Sequence, residues 1–258
     1  MSANFFRRLL FLALGCLALT GQGAAAAELR PVDLAGQQRM LSQRIVKSWC
    51  QIGLNVMPQL SKRQLDAALR QFEDNLKALD VAATGPEART ALAGLRAAWT
   101  PLQAAARGVI RQDDAAQLDA RAEDVLMAAE RLTRVLQDAS ATPQSRWVNL
   151  AGRQRMLSQR LVKIYMLRQW WVDNTALRDE MERVQHEFFG ALTSMQQHAA
   201  GNPALREELD NLGLQWEWLR TTIAAEGAES FRLIMAEGGE AVLELAGRVA
   251  RLYEQAAP

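Results

Sequence analysis

The chain has 258 residues, with 30 lysines and arginines against 29 aspartates and glutamates, a formal charge of +1 and 49% apolar residues. That near-neutral balance argues against a general nucleic-acid binder, which needs a basic excess to meet phosphate charge. Two cysteines, Cys16 and Cys50, are too few for a disulfide scaffold.

Residues 1–27 have the layout of a cleaved secretory signal: a basic lead, MSANFFRR, an apolar stretch, LLFLALGCLALT, and a tail of small residues. The cut is expected after Ala26 or Ala27. The apolar stretch is too short for a comfortable membrane span. Lipidation at Cys16 is the weaker reading, because Ala13 stands where such signals usually carry leucine. Losing Arg7 and Arg8 takes the formal charge to −1 and leaves Cys50 as the one thiol, which excludes an internal disulfide. On a helix Cys50 reads as a small buried apolar residue. No later stretch approaches about 18 uninterrupted apolar residues, so the exported chain is expected to be soluble.

The remaining sequence is all-α in character, rich in Ala, Leu, Arg, Glu and Gln, and without an alternating β-type run. The predicted helices run over 31–57, 61–80, 86–108 and 113–139, then 144–172, 175–199, 203–225 and 229–255. Leu65, Leu69, Phe72, Leu76 and Leu79 illustrate the helical spacing of apolar residues. Pro86, Pro143 and Pro203 stand near helix starts, where a missing amide donor does little harm. Gly85, Asp113, Asn174 and Gly201 mark joints, and DASATPQS is the seam between two halves. EGGE at 237–240 reads as a helix interruption rather than a phosphate cradle.

The two halves repeat. LAGQQRMLSQRIVK at 34–47 returns as LAGRQRMLSQRLVK at 150–163, differing only at Gln37/Arg153 and Ile45/Leu161. At an offset one residue longer, Pro86, Arg89, Leu92, Leu95, Trp99 and Leu102 pair with Pro203, Arg206, Leu209, Leu212, Trp216 and Leu219. AEDVLMAAERLTR pairs with GEAVLELAGRVAR at the same longer offset. This is a tandem repeat of roughly 110 residues. Four amphipathic helices per half suffice for an antiparallel bundle, giving domains at 28–140 and 141–258 packed as a pseudo-two-fold dimer.

On a helix, Ala35, Arg39, Ser42 and Val46 share one face, with Gln43 beside it, while Leu34, Leu41 and Ile45 face the core. The second copy places Ala151, Arg155, Ser158 and Val162 in the same way, with Gln159 beside them. Ala35 and Gly36, like Ala151 and Gly152, keep the surface low enough for a second helix to approach. About an approximate two-fold axis, Arg39 meets Arg155. Two guanidinium groups about 6 Å apart repel by roughly 3 kcal/mol at an effective dielectric near 20. An anion about 4 Å from each offsets that by roughly 4 kcal/mol per contact before desolvation. The arginine fork suits a planar oxyanion. Against this stands the plain reading, in which duplication alone preserves two solvated or carboxylate-paired arginines.

The repeated AGRQRMLSQRLVK segment resembles the hallmark of the PilJ-type sensory domain of type IV pilus chemoreceptors, related to the input region of NarX-type nitrate/nitrite sensor kinases. The resemblance implies a four-helix bundle in each half and nitrate or nitrite held between them by Arg39 and Arg155, beside Gly36 and Gly152. Arg44 and Arg160 match a second, supporting arginine; Ser42, Ser158, Gln43 and Gln159 complete the segment. It implies a periplasmic binding protein whose partner is a membrane sensor kinase or chemoreceptor. Those sensors continue into membrane helices and an output segment, whereas this chain stops at Pro258. The alternative is a ligand-free helical module that docks to a pilus, chemoreceptor or kinase.

No cofactor, metal site or catalytic constellation is expected. Glu182 and His186 lie one turn apart without a matching pair on another helix, and His198 completes the histidines as a surface residue. The Trp170–Trp171 and Trp216/Trp218 pairs read more simply as packing than as a partner surface.

Overall fold

The computed structural model describes residues 29–140, 142–170, 172, 175–224 and 229–255. The expected signal segment, with Cys16, and the residues Trp171 and Asn174 lie outside these. Among the described residues the chain is all-α, with no strand. Its helices are α1 (29–53), α2 (Pro58–Ala82), α3 (Pro86–Ala106), α4 (Ala115–Ala139), α5 (Ser145–Gln169), α6 (Thr175–His198), α7 (Pro203–Ala224) and α8 (Glu229–Gln255). None of them is long and apolar enough to cross a membrane.

Sequence explains the boundaries. Pro58 and Pro86 occupy the first turns of α2 and α3, where a proline amide has no partner to lose. Ahead of α2, Asn55 and Met57 take left-handed backbone angles, so α1 stops at residue 53 and not at 57. The Gly238–Gly239 pair does not interrupt α8, correcting the expectation for EGGE. A Cβ on Gly238 would lie 2.7 Å from Trp218 and 2.8 Å from Leu219 of α7, and one on Gly239 would press on Val162 of α5. These glycines let α8 lie close to two neighbours at once.

Helices such as α2 and α4 carry single apolar stripes. In α2 the buried line is Leu65, Ala68, Leu69, Phe72, Leu76 and Leu79; in α4 it is Leu118, Ala122, Val125, Leu126, Ala129, Leu132 and Leu136. Helices α1 and α5 differ, because they are buried on nearly every side. Gln38, Arg39, Ser42, Gln43 and Lys47 on α1 are all buried, as are Gln154, Arg155, Ser158, Gln159 and Lys163 on α5. The two helices run in the same direction: Asp33 meets Arg155, Asn149 meets Arg39, and Trp49 packs on Trp170 with ring centroids 5.3 Å apart. Ion pairs then join α1 to α4 and α8, and α5 to α4. Extensive packing joins α5 to α8. The pairs α2–α3 and α6–α7 flank this inner group.

Matched residues of the two halves make matched contacts. Gln38 donates to the Phe72 carbonyl at 3.0 Å, and Gln154 donates to the Phe188 carbonyl at 3.0 Å. Phe72 stacks on Trp99 and Phe188 on Trp216, with centroids 3.8 and 3.6 Å apart. Of the other tryptophans, Trp49 and Trp170 are buried while Trp218 is exposed. His198 is exposed as expected, yet its ring stacks on Trp147 at 3.9 Å.

The glycines divide into two kinds, which denaturation can separate. Gly239→Leu forces a side chain into Val162 and should cost about 1–3 kcal/mol. Gly94→Ala, with nothing within 4 Å of its Cβ position, should stabilise α3 by about 0.5–1 kcal/mol. Urea midpoints of the two variants check both signs.

Candidate functional site

Side chains on a helix lean toward its N-terminus, over the residue three or four positions earlier. Arg39 therefore folds back over Gly36 and Arg155 over Gly152. A Cβ on Gly36 would lie 3.2 Å from Nη2 of Arg39. One on Gly152 would lie 3.3 Å from Nη2 of Arg155 and 3.4 Å from Nη2 of Arg39. The two guanidinium groups thus converge on a single point, and their Nη2 atoms are at most about 6.7 Å apart. The glycines make room for the arginine forks at least as much as for an approaching helix.

Each arginine also has partners. Nη1 of Arg39 donates to Glu130 of α4 at 2.6 Å, and its Nη2 donates to Oδ1 of Asn149 at 2.7 Å. Arg155 donates through Nη2 to Asp33 of α1. Asn149 and Asp33 are matched positions, so each fork reaches the start of the other half's motif helix. Glu130 is also bound by Arg153, which pairs with Glu187 of α6. The compensation expected from a bound anion is therefore supplied in part by the chain's own carboxylates. Nevertheless, Nε of Arg39 and Nε of Arg155, both buried, find no acceptor among the described residues. Arg39 is fully buried, and burial lowers its pKa, with Arg153 and Arg155 adding to the effect against the pull of Glu130.

The model of the family described as type IV pili methyl-accepting chemotaxis transducer N-terminus matches residues 23–125. That stretch is therefore similar to a PilJ domain. The match contains the whole first motif, with Gly36, Arg39, Ser42, Gln43 and Arg44. PilJ domains are sensory, not catalytic. No curated protein and no solved structure matches the chain.

Further along the repeated motif lies a second set of contacts. Arg44 and Lys47 both bind Glu240 of α8 in the other half. Arg160 and Lys163 reciprocate by binding Glu123 of α4, at 2.7 Å each. Arg44 and Arg160 thus sit with counter-carboxylates, away from the convergence point. Ser42 and Ser158 bond back to the carbonyls of Arg39 and Arg155. Gln43 and Gln159 donate to those serines, and Gln159 also to the Gly239 carbonyl at 3.2 Å. Of the motif residues, Arg39 and Arg155 come together over Gly152, with Gly36 beneath Arg39, while Arg44, Arg160 and Gln159 tie their helices to neighbours.

Sequence reading missed Asp33, Asn149, Glu123, Glu130 and Glu240 as partners. Glu123 and Glu240 did carry a signal, because they stand at matched positions in the repeated α4 and α8 segments. Cys50 is buried as expected, and burial with the nearby Asp119 carboxylate pushes its thiol far above the usual range.

The reciprocal lysines are not equivalent. Lys163 meets both Asp119 and Glu123, whereas Ala236 stands on α8 where α4 has Asp119. Burial consequently pushes Lys47 down to about 8, with only Glu240 opposing it. For Lys163 the two carboxylates overcome burial and raise its pKa. Lys163→Met leaves Glu123 with Arg160 and takes from Asp119 its lysine, and should cost about 3–5 kcal/mol. Lys47→Met leaves Glu240 with Arg44 and should cost less than about 1.5 kcal/mol. Below pH 8 the penalty of charging Lys47 is fully present, and it is relieved as pH rises toward 10.5. Melting curves between pH 7.5 and 10.5 should show that relief in the parent chain and lose it in Lys47→Met.

Proposed function

We propose that the chain is a periplasmic oxyanion-sensing protein made of two PilJ-type domains, 28–140 and 141–258. Nitrate or nitrite is held between the halves by Arg39 and Arg155. The observation that carries the reading is the convergence of both forks over Gly152, each with a buried Nε–H left over. A planar oxyanion accepts such paired donors, and the guanidinium fork matches its geometry. Binding proceeds by competition, since the ligand takes fork donors that Glu130 and Asp33 hold in its absence. Exchanging those partners alters the α1–α4 and α1–α5 contacts, which gives the ligand a structural consequence. The signal is read by a membrane chemoreceptor or sensor kinase, in keeping with the chemotaxis-transducer family that matches the first half.

One observation favours the second reading, a ligand-free docking module: each arginine already has an acidic partner, so the site is not strongly electropositive. Calorimetric titration with nitrate, nitrite, chloride and sulfate separates the two. Nitrate or nitrite should bind with one site per chain. Arg155→Ala should abolish binding. Arg39→Lys and Arg155→Lys keep the charge but lose the fork, and should each weaken binding at least about tenfold. Silence toward all four anions at millimolar concentration would overturn the anion reading in favour of the docking module.

A further inference from the structure

One of the two differences between the motif copies, Gln37/Arg153, sets what surrounds the arginine pair. On α5, Arg153 donates through Nη1 to Oε1 of Glu130 at 3.1 Å, while Arg39 donates through its own Nη1 to Oε2 of the same carboxylate at 2.6 Å. Nε of Arg153 donates to Glu187 of α6. In the first half the matched places are taken by amides: Gln71 donates to Gln37 at 3.1 Å, and Gln37 donates to Asp33 at 2.6 Å. Glu130 itself is matched by Gly247 on α8, which offers no carboxylate. The acids that hold the two forks therefore differ in what else holds them. Glu130 is shared by two arginines, one oxygen to each. Asp33 binds Arg155 and no second cation among the described residues.

We propose that Arg153 is a positioning residue for the anion site: it keeps hold of Glu130 when an oxyanion takes Arg39. The inference rests on the oxyanion reading of the arginine pair, and adds which fork is surrendered first and what permits it. A carboxylate displaced from its only cation inside a protein is left uncompensated, and that penalty opposes the incoming ligand. Glu130 escapes it, because Arg153 stays on its other oxygen as Arg39 turns to the ligand. Asp33 has only the Gln37 amide to fall back on. Oxyanion entry therefore draws on Arg39 before Arg155. Glu130, Arg153 and Glu187 line a groove of about 470 Å³ between α4, α5 and α6, which gives the carboxylate room to turn from one arginine to the other. Glu187 competes with Glu130 for Arg153 and so limits how firmly Arg153 can hold it.

Calorimetric titration with nitrate tests this. Arg153→Gln installs the amide found at the matched Gln37, leaves Glu130 to Arg39 alone, and should weaken nitrate binding about tenfold. The role acts through Glu130, so in a Glu130→Gln background the same Arg153→Gln change should move the dissociation constant by less than about twofold. Glu187→Gln removes the competitor for Arg153 and should tighten nitrate binding about threefold. That last readout does not depend on Glu130→Gln remaining folded, since Glu187 lies at the partly exposed rim. Equal weakening by Arg153→Gln in both backgrounds would overturn the positioning role, because a general field effect or a purely structural part gives that result. Nitrate affinity unmoved by Arg153→Gln, or not tightened by Glu187→Gln, would overturn it as well. No nitrate binding by the parent chain would instead overturn the oxyanion reading, and the positioning role with it.

Discussion

Burying positive charge on two central helices is the constraint from which the rest of the structure follows. Helices α1 and α5 have neighbours on nearly every side, yet each carries an arginine and a lysine into the interior. A buried cation without a partner costs several kcal/mol, so the surrounding helices must supply carboxylates. Glu123 and Glu240 do so reciprocally, each reaching the motif helix of the other half. The two halves are thereby fastened by ion pairs that neither half could complete alone. Removing one partner leaves a charge in a low-dielectric setting, which makes these contacts specific even where their net contribution to stability is small.

The arginine pair obeys the same constraint less completely. Two guanidinium groups within about 7 Å of each other repel by roughly 2.5 kcal/mol at an effective dielectric near 20. Glu130 and Asp33 offset that repulsion from one side of each fork, while both Nε–H donors remain without acceptors. Lys47 and Lys163 show how finely the balance is set by single positions. The same lysine in the same motif is pushed down in one half and raised in the other, depending on whether alanine or aspartate faces it.

Most of the fold was legible because periodicity and punctuation agree. Proline at helix starts and apolar spacing along α2 and α4 place the helices within a few residues of their observed bounds. EGGE was misread because a double glycine has two physical uses, ending a helix or thinning it. Only the positions of Trp218, Leu219 and Val162 decide between them. The meeting of Arg39 and Arg155 was legible from the repeat, since a two-fold arrangement brings matched helices together. Their side-chain partners were not, because Asp33, Glu130 and Asn149 stand at positions where the two halves have diverged. Repetition discloses what the halves share; charge compensation here depends on where they differ.

That divergence bears on how the protein can respond to a ligand. An identical pair of domains would present two equivalent arginines, and any anion between them would act on both halves alike. In this chain Arg39 is linked through Glu130 and Arg153 to Glu187, a chain of charges touching α1, α4, α5 and α6. Arg155 is linked through Asp33 and Gln37 to Asn75, touching α5, α1 and α2. The oxyanion proposed for the site would thus exchange partners in two unlike networks. A ligand shifts a conformational equilibrium only by its differential interaction with the competing states. Unlike networks on the two sides would make that differential directional: releasing Glu130 would loosen α1 from α4, and releasing Asp33 would loosen α1 from α5. Duplication supplies the paired forks within one chain, and divergence of their partners gives the pair a sense of direction.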